Sequence, residues 1–232
     1  MNILAIGAQP GIIEAGCFGT LARLIEQGHQ VVICSITNGN LGHSDVQPVD
    51  LRIRRMTEAS KAAHILGGSY CTLDIDELEV NPYDKNQQMQ LTELMRNTKP
   101  DLIITHSDIG SHPDFVATHH LVNTSIVQAT MPLIATKAQV LESTPILYYM
   151  ETEVTSSFVP TEYVDVTNQF SKKMEALTSH TSQVEVFKEG GLNLFRHVEA
   201  LAEFRGLQSG VYYAEAFAID KKRSSLTKRV LP

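Results

Sequence analysis

The sequence predicts an α/β fold in which a mostly parallel sheet is covered by helices on both faces. Strand-like and helix-like segments alternate through about the first 130 residues, and this order is typical of parallel strands joined by helices. The strand-like segments are continuously apolar rather than alternating, as expected of strands buried on both faces. The chain has 232 residues, 43% of them hydrophobic, which is enough material for one domain with a sizeable core.

The first half of the chain supplies four strands and four helices in turn. Each predicted strand is a short apolar segment that ends at a turn or loop, over residues 2–8, 30–37, 70–73 and 101–105. The predicted helices have apolar residues at helical spacing or end at a Gly or Lys-Pro stop, over residues 14–27, 49–66 and 88–97, and from about 114 onward.

The pattern loosens past about residue 130. Strands are predicted over 145–150, 162–166 and 211–219, with helices over 168–188 and 194–204. Because no repeat or linker-like stretch separates the two parts, we predict a single domain over 1–232. Its core spans about 1–130, and about 131–232 form a C-terminal elaboration.

Composition excludes several classes of partner and location. The net charge of -7 argues against nucleic acid, which requires a basic face, and the basic cluster at 221–229 is interpreted as a solvated tail. No apolar run approaches the roughly 18–20 residues that span a bilayer, so no membrane contact is expected. Three widely spaced cysteines, Cys17, Cys34 and Cys71, predict a reducing, cytoplasmic location.

Ligands of open parallel sheets bind beyond the carboxyl ends of the strands. The segments predicted there are 9–11, 37–39 and 106–114, and the last, which runs from His106 to Asp114, is the most polar stretch in the chain. His112 is the leading candidate because Pro113 fixes it at the predicted crevice. Asp114 fits the N-terminus of the following helix at least as well as it fits a catalytic role.

Several motifs then resemble, in order, those of the LmbE-like (PIG-L) zinc-dependent N-deacetylases. They are ILAIGAQPGIIEAGCFGTLARL at 3–24, TNGNLGH at 37–43, His112-Pro113-Asp114, HTSQ at 180–183 and YAEAF at 213–217. The resemblance implies a Rossmann-like sheet. It also implies hydrolysis of an acetamide on an amino sugar or a related conjugate.

The resemblance also implies roles for individual residues. His112 is implied beside the metal, where it stabilises an oxyanion or passes a proton, and Asp114 supports a neighbouring imidazole. Arg55 is in the place of a substrate-holding arginine, and the alternative is a surface ion pair with Glu58 on the same helix. The expected substrate-binding residues are the strand-end side chains together with these family positions, namely Gln9, Asn38, Arg55, His106, Tyr213 and Glu215.

The sequence departs from the family at the metal-binding positions. In the family motif A-H-P-D-D-E, the His and the second Asp bind zinc, and the first Asp is the general base. Here Gln9 is at the position of the His, Gly11 at that of the first Asp and Ile12 at that of the second Asp. In a second family motif, H-P-D-H, the last His is the third zinc ligand, and Phe115 is at that position. Since catalytic zinc usually takes three N, O or S ligands, we expect no zinc at this position, although zinc is the cofactor of the family at large.

The preferred hypothesis is a metal-free, hydrolytically impaired member that binds a small molecule or a partner. The ligand would be an amino sugar or sugar conjugate. The partner would be a second copy of the chain or an active paralogue, with apolar contacts at 148–150 and 158–160.

The alternative is an active amidase or deacetylase. It would use acid–base chemistry centred on His112, or a relocated metal among the imidazoles and the carboxylate of one stretch, His106, His112, Asp114, His119 and His120. Nicotinamide binding is disfavoured, because the loop after the first strand lacks the G-x-G-x-x-G spacing.

Overall fold

A computed structural model describes residues 1–152, 157–221 and 230–232, so that most of the basic cluster at 221–229 lies outside the described residues. Strands β1 to β5 run parallel, whereas β7 is antiparallel to both β5 and β6. The order across the sheet is β3-β2-β1-β4-β5-β7-β6, which confirms the predicted mostly parallel α/β fold. The strands are β1 Asn2–Gly7, β2 Gln30–Thr37, β3 Ser69–Ile75, β4 Leu102–His106, β5 Ile146–Met150, β6 Glu162–Asp165 and β7 Ala214–Ile219.

Helices pack on both faces of this sheet. They are α1 Ile12–Gly16, α2 Phe18–Glu26, α3 Pro48–Leu66, α4 Lys85–Thr98, α5 Pro113–Ala129, α6 Phe170–Thr178, α7 Thr181–Glu189 and α8 Leu194–Ser209. Within the ranges described, none has the length and apolar character needed to cross a bilayer.

Alternate residues of β1 supply the two cores. Ile3 and Ala5 join one cluster of buried side chains, and Leu4 and Ile6 join the other. Successive side chains of a strand point to opposite faces of the sheet. With helices on both faces, residues 3–6 of β1 are therefore all apolar, as the sequence indicates.

Two of the predicted helices are each divided in the structure. The helix predicted over 14–27 is α1 and α2, separated at Cys17, whose φ of −144° is not helical. The helix predicted over 168–188 is a 3-10 turn followed by α6 and α7. The break before α7 has a tertiary cause, because Glu58 of α3 accepts the Ser182 amide at 2.9 Å and the Ser182 hydroxyl at 2.6 Å. A carboxylate from a distant helix thus caps a new helix start.

The expected contact surface at 148–150 is wrong. Tyr148 and Met150 lie in β5 with exposed fractions of 0% and 1%, and β5 pairs with β4 on one side and β7 on the other. Phe158 is also buried, whereas Val159 is 75% exposed. The apolar residues at 148–150 therefore belong to the core.

Candidate functional site

Three polar side chains meet beyond the carboxyl ends of β1 and β3, next to the start of α5. The Gln9 amide nitrogen lies 2.5 Å from Glu77 Oε1 and 3.2 Å from His112 Nε2. His112 Nε2 and Glu77 Oε1 are 3.8 Å apart. We call Gln9, Glu77 and His112 the polar trio. The structure thus brings together two of the predicted site residues with a carboxylate that the sequence analysis did not single out.

Glu77 is held by the loops that follow neighbouring strands. Its backbone amide donates to Asn40 Oδ1 at 3.0 Å, and its Oε2 accepts the Leu41 amide at 3.1 Å. The next amide, that of Leu78, donates to Asp114 Oδ2 at 2.9 Å. These bonds fix a carboxylate that is only 6% exposed. A signal for it was present, because acidic residues 74, 76 and 77 are at the end of a predicted strand.

His112 caps the N-terminus of α5. The Asp114 amide donates to its Nδ1 at 3.2 Å. The other ring nitrogen, Nε2, faces the Gln9 amide nitrogen at 3.2 Å and the Glu77 carboxylate at 3.8 Å. Asp114 is buried and its carboxylate anchors the Glu77 loop through Leu78, while its Oδ2 lies 3.9 Å from His112 Nδ1.

His106 lies behind the site and not at its surface. The Ala8 amide donates to its Nε2 at 2.9 Å, and its ring stacks on Phe115 with centroids 4.4 Å apart. His119 donates from Nδ1 to the His106 carbonyl at 3.0 Å. Burial, with smaller contributions from His119 and His112, lowers the pKa of His106 to about 3. His106 is therefore a neutral structural acceptor throughout the physiological pH range.

This neutral state predicts a pH-dependent stability. The unfolded chain takes up the His106 proton near pH 6.5, whereas the folded chain does so only near pH 3. The stabilisation is complete above pH 6.5, and the free energy of unfolding falls towards pH 3 by up to about 1.4 kcal/mol per pH unit. Urea unfolding between pH 4 and 7 measures this dependence. The free energy of unfolding of His106→Asn should fall less steeply with decreasing pH than that of the parent protein.

The matched control is His64→Asn, because His64 is an exposed histidine on α3. It should keep the slope of the parent protein. An unchanged slope in His106→Asn would mean that His106 already titrates normally in the folded protein.

The loop after β1 turns sharply at Gly11, whose φ is +92°. A Cβ atom there would lie 2.0 Å from Gln183 Oε1, and Gln183 also donates from Nε2 to the Pro10 carbonyl at 2.8 Å. The Gln183 side chain therefore occupies the space that a side chain at position 11 would need.

We predict that Gly11→Ala lowers the free energy of unfolding by about 1–3 kcal/mol, through backbone strain and the collision with Gln183. In a Gln183→Ala background the loss in free energy of unfolding caused by Gly11→Ala should fall to about 1 kcal/mol, because only the backbone strain remains. Gly210→Ala is the control, since Gly210 has a φ of +78° with no atom within 4 Å of the added Cβ. Denaturant unfolding of the four variants tests this, and equal costs at positions 11 and 210 would contradict the collision.

A cavity of about 480 Å³ opens beside the polar trio. Gln9 lines it at the trio end, and Gln183 and His197 also border it. Most of the wall is apolar and comes from α1, α5, α7 and α8, through Ile12, Phe115, Phe187, Leu194, Val198 and Leu201. Its volume is in the range of small-molecule sites, roughly 300–1,000 Å³.

Arg55 and Asn38 support the loops around the site. Arg55 is 3% exposed and donates to the Gly42 carbonyl at 2.8 Å, with its Nη1 3.8 Å from Glu77 Oε2. Burial lowers the pKa of Arg55, and the carboxylate of Glu77 opposes this. The Asn38 amide donates to Asp74 and Asp76. The alternative pairing of Arg55 with Glu58 is not formed, because Glu58 pairs with Arg54 at 3.1 Å.

Tyr213 and Glu215 lie away from the polar trio. The Tyr213 ring stacks on Phe170 with centroids 3.7 Å apart. Glu215 is buried, where it accepts the Gly19 and Thr20 amides at 2.9 and 2.7 Å and pairs with Lys173 at 2.6 Å. Glu215 of β7 therefore joins α2 to α6, and neither Tyr213 nor Glu215 lines the cavity described above.

Among residues 1–152, 157–221 and 230–232, no group of three or more His, Cys, Asp or Glu side chains is arranged to hold a metal ion. The imidazoles of the stretch from His106 to His120 point to separate partners. His106 binds the Ala8 amide, His119 the His106 carbonyl, and His112 the Asp114 amide.

The fold and the crevice define the class of protein. The sheet order reverses direction at β1 and β4, and α/β proteins with such a switch point bind ligands beyond the strand ends there. The polar trio is at this place. The model of one such family, GlcNAc-PI de-N-acetylase (PIG-L), matches residues 4–126, just over half of the chain. The chain belongs to the PIG-L family.

Individual relatives agree with this assignment. A diacetylchitobiose deacetylase of Thermococcus kodakarensis is 25% identical over 227 residues, covering 92% of this chain and 81% of that protein. The N,N'-diacetylchitobiose deacetylase of Pyrococcus horikoshii, solved with its inhibitor MPG, has a TM-score of 0.82 at 24% identity and covers 94% and 83% of the two chains. The 4-carboxy-2-hydroxymuconate hydratase GalB of Pseudomonas putida has a TM-score of 0.85 at 21% identity and covers 99% and 100%. Both solved structures share the fold.

Proposed function

We propose that this PIG-L family member binds a small molecule with an amino-sugar or related polar group, and that it does so without zinc-dependent hydrolysis. The observation that carries this proposal is the polar trio, in which the amide nitrogen of Gln9 faces Glu77 at 2.5 Å. In the family motif that this segment resembles, position 9 is a zinc-binding histidine. Here the same position carries an amide that donates a hydrogen bond to Glu77.

The residues present do not fit a zinc ion at the family position. Gln9 turns a donor nitrogen to Glu77, and neither Ile12 nor Phe115 has an atom that can coordinate a metal. The Phe115 ring is packed against His106 at 4.4 Å, so it fills space rather than leaving it for an ion. Catalytic zinc usually takes three N, O or S ligands, and no step of the proposed function runs through a metal.

The general base is also absent, and its space is occupied. The resemblance places the base at position 11, where Gly11 adopts a φ of +92° and the Gln183 side chain covers it. The glycine at the position of the base supports the proposed loss of hydrolysis.

The test is acetate release from N,N'-diacetylchitobiose, the compound named for the Thermococcus relative, with and without added zinc. The expected result is no release above background, with binding of the same compound detected by calorimetry. Release at ordinary enzymatic rates, roughly 1–10³ s⁻¹, that is lost in His112→Ala but kept in His64→Ala would contradict the proposal.

A second function is favoured by the approach of His112 Nε2 to Glu77 Oε1 at 3.8 Å, where the exposed fractions of the two side chains are 30% and 8%. A carboxylate beside an imidazole is suited to metal-independent acid–base chemistry on a bound amide. This second function predicts turnover that is insensitive to chelators and is abolished equally by His112→Ala and Glu77→Gln. Turnover that falls with chelation would instead indicate a relocated metal.

The remaining expectations are proposals about setting and partners. The net charge of -7 supports a partner other than nucleic acid. The three cysteines are free, which supports a cytoplasmic location. A second copy of the chain or an active paralogue stays the proposed protein partner, and light scattering at several concentrations tests the first of these.

A further inference from the structure

Two cysteines lie side by side on neighbouring strands of the sheet. Cys34 of β2 and Cys71 of β3 are direct partners in the parallel ladder, and both side chains pack in the same apolar cluster on one face of the sheet. We propose that this pair is an oxidation site, at which hydrogen peroxide converts the two thiols into a reversible disulfide. Neither cysteine belongs to the polar trio or lines the cavity beside it, so the oxidation site is separate from the proposed ligand site.

The spacing of the two strands allows the bond. Neighbouring strands lie about 4.8 Å apart, and the Cα atoms of disulfide-bonded cysteines are usually about 4.4–6.8 Å apart. Closing the bond also brings the two Cβ atoms to about 3.5–4.5 Å. Strand β3 can make this adjustment, because among the described strands it pairs with β2 alone. The ladder between them already shifts register between Ser35 and Thr37.

Cys71 is the thiol that meets the oxidant. It is partly exposed, whereas Cys34 is fully buried. The Cys34 thiol proton has two acceptors in reach, the Ser35 carbonyl at 3.7 Å and the Cys71 sulfur. Donation to Cys71 lowers the pKa of Cys71, although burial opposes this, and the same hydrogen bond together with burial raises the pKa of Cys34. Because the thiolate is the nucleophile, Cys71 attacks the peroxide and Cys34 resolves the product.

The reaction consumes one hydrogen peroxide for each disulfide. The Cys71 thiolate attacks a peroxide oxygen, the O–O bond breaks, and the departing hydroxide takes up the proton released by Cys71, which becomes a sulfenic acid. The Cys34 sulfur then attacks the Cys71 sulfur. The S–S bond forms as the S–O bond breaks, and the hydroxide leaves as water with the Cys34 proton. Two electrons pass from the two thiols to the peroxide, and thiol–disulfide exchange with a dithiol reductant reverses the change.

Cys17 provides an internal control within the same chain. It is fully buried at the junction of α1 and α2, and it packs in the core cluster on the opposite face of the sheet from Cys34 and Cys71. Burial raises the pKa of its thiol, which disfavours the reactive thiolate. Cys17 should therefore stay reduced while the pair is oxidised.

The experiment exposes the full chain to a small excess of hydrogen peroxide, unfolds it in iodoacetamide and determines its intact mass. The expected product has lost two hydrogen atoms and takes up one alkyl group, on Cys17, instead of three. Its non-reducing digest should contain a peptide pair joined through Cys34 and Cys71, and dithiothreitol should restore three alkylation sites. Three sites after peroxide, a disulfide that includes Cys17 or joins two chains, or Cys71 as sulfinic or sulfonic acid would overturn the inference.

Single variants separate the roles of the two thiols. Cys34→Ala should leave Cys71 as a sulfenic acid that dimedone traps, because no resolving thiol remains, whereas Cys71→Ala should take up no dimedone. Cys17→Ala is the matched control and should form the disulfide to the same extent as the parent protein. Equal dimedone labelling of Cys34→Ala and Cys71→Ala would contradict the role given to Cys71.

The disulfide should also change the stability of the parent protein, a measurement that requires no variant. The bond closes the loop between positions 34 and 71 and thereby restricts the unfolded chain. The oxidised protein should unfold at a Tm about 5–15 °C above that of the reduced protein, and dithiothreitol should abolish the difference. An unchanged or lower Tm after oxidation would contradict a disulfide that fits the native pairing of β2 and β3.

Discussion

Removing the Glu215 carboxylate by Glu215→Ala should lower the free energy of unfolding by about 3–5 kcal/mol. Glu215 pairs with Lys173 at 2.6 Å, and the exposed fraction of each side chain is 2%. It also accepts the first amides of α2, from Gly19 and Thr20. The substitution leaves a buried ammonium without a counter-ion and helix donors without an acceptor. Urea unfolding measures the loss.

The control is Glu175→Ala, which removes an exposed carboxylate from α6 and should change stability by less than about 0.5 kcal/mol. The double variant Lys173→Met with Glu215→Gln should be more stable than Glu215→Ala, because it leaves no buried charge. A double variant no better than the single one would show that the ion pair is not the source of the loss.

Restoring the three family ligands should convert the chain into a zinc protein. The variant with Gln9→His, Ile12→Asp and Phe115→His carries two imidazoles and one carboxylate, which is a complete ligand set for a catalytic zinc. We expect close to one zinc per chain by elemental analysis after dialysis. Cobalt substitution should give the visible absorption of a tetrahedral site.

The matched control changes the same region without supplying ligands, through Ile12→Asn and Phe115→Leu with Gln9 retained. It should bind no zinc. No zinc binding by the restored variant would show that positions 9, 12 and 115 do not converge as the family motif requires. Zinc binding by the control would show that the ion binds without these three ligands. Adding Gly11→Asp should support turnover only together with Gln183→Ala, because Gln183 covers position 11.

The fold could be predicted because each buried strand carries its own signal. Residues 3–6 of β1 are apolar at every position, since Ile3 and Leu4 enter different cores. The divided helices could not be predicted in the same way. The break at His180 depends on Glu58 accepting the Ser182 amide, and the contact joins residues more than a hundred positions apart. Periodicity within one segment contains no information about such a cap.

Only part of the site could be predicted, because some of its residues follow strand ends and others are placed by tertiary contacts. Gln9 and His112 follow strand ends, and that position alone indicated the crevice. Glu77 depends on tertiary contacts with Asn40, Leu41 and, through Leu78, Asp114. The buried roles of His106 and Glu215 also follow from packing, because a histidine at a strand end and a glutamate in a strand have no local feature that distinguishes support from ligand contact. The cavity beside the polar trio is lined in part by α7 and α8, whose arrangement the sequence does not specify.

The most direct test of the central claim is the zinc content of the untagged native protein, measured by elemental mass spectrometry after dialysis against zinc and then against buffer. The account predicts a content far below one zinc per chain, unchanged in His112→Ala. One zinc per chain that is lost in Gln9→Ala or His112→Ala would contradict it, because the polar trio would then be a metal site and not a hydrogen-bonding site.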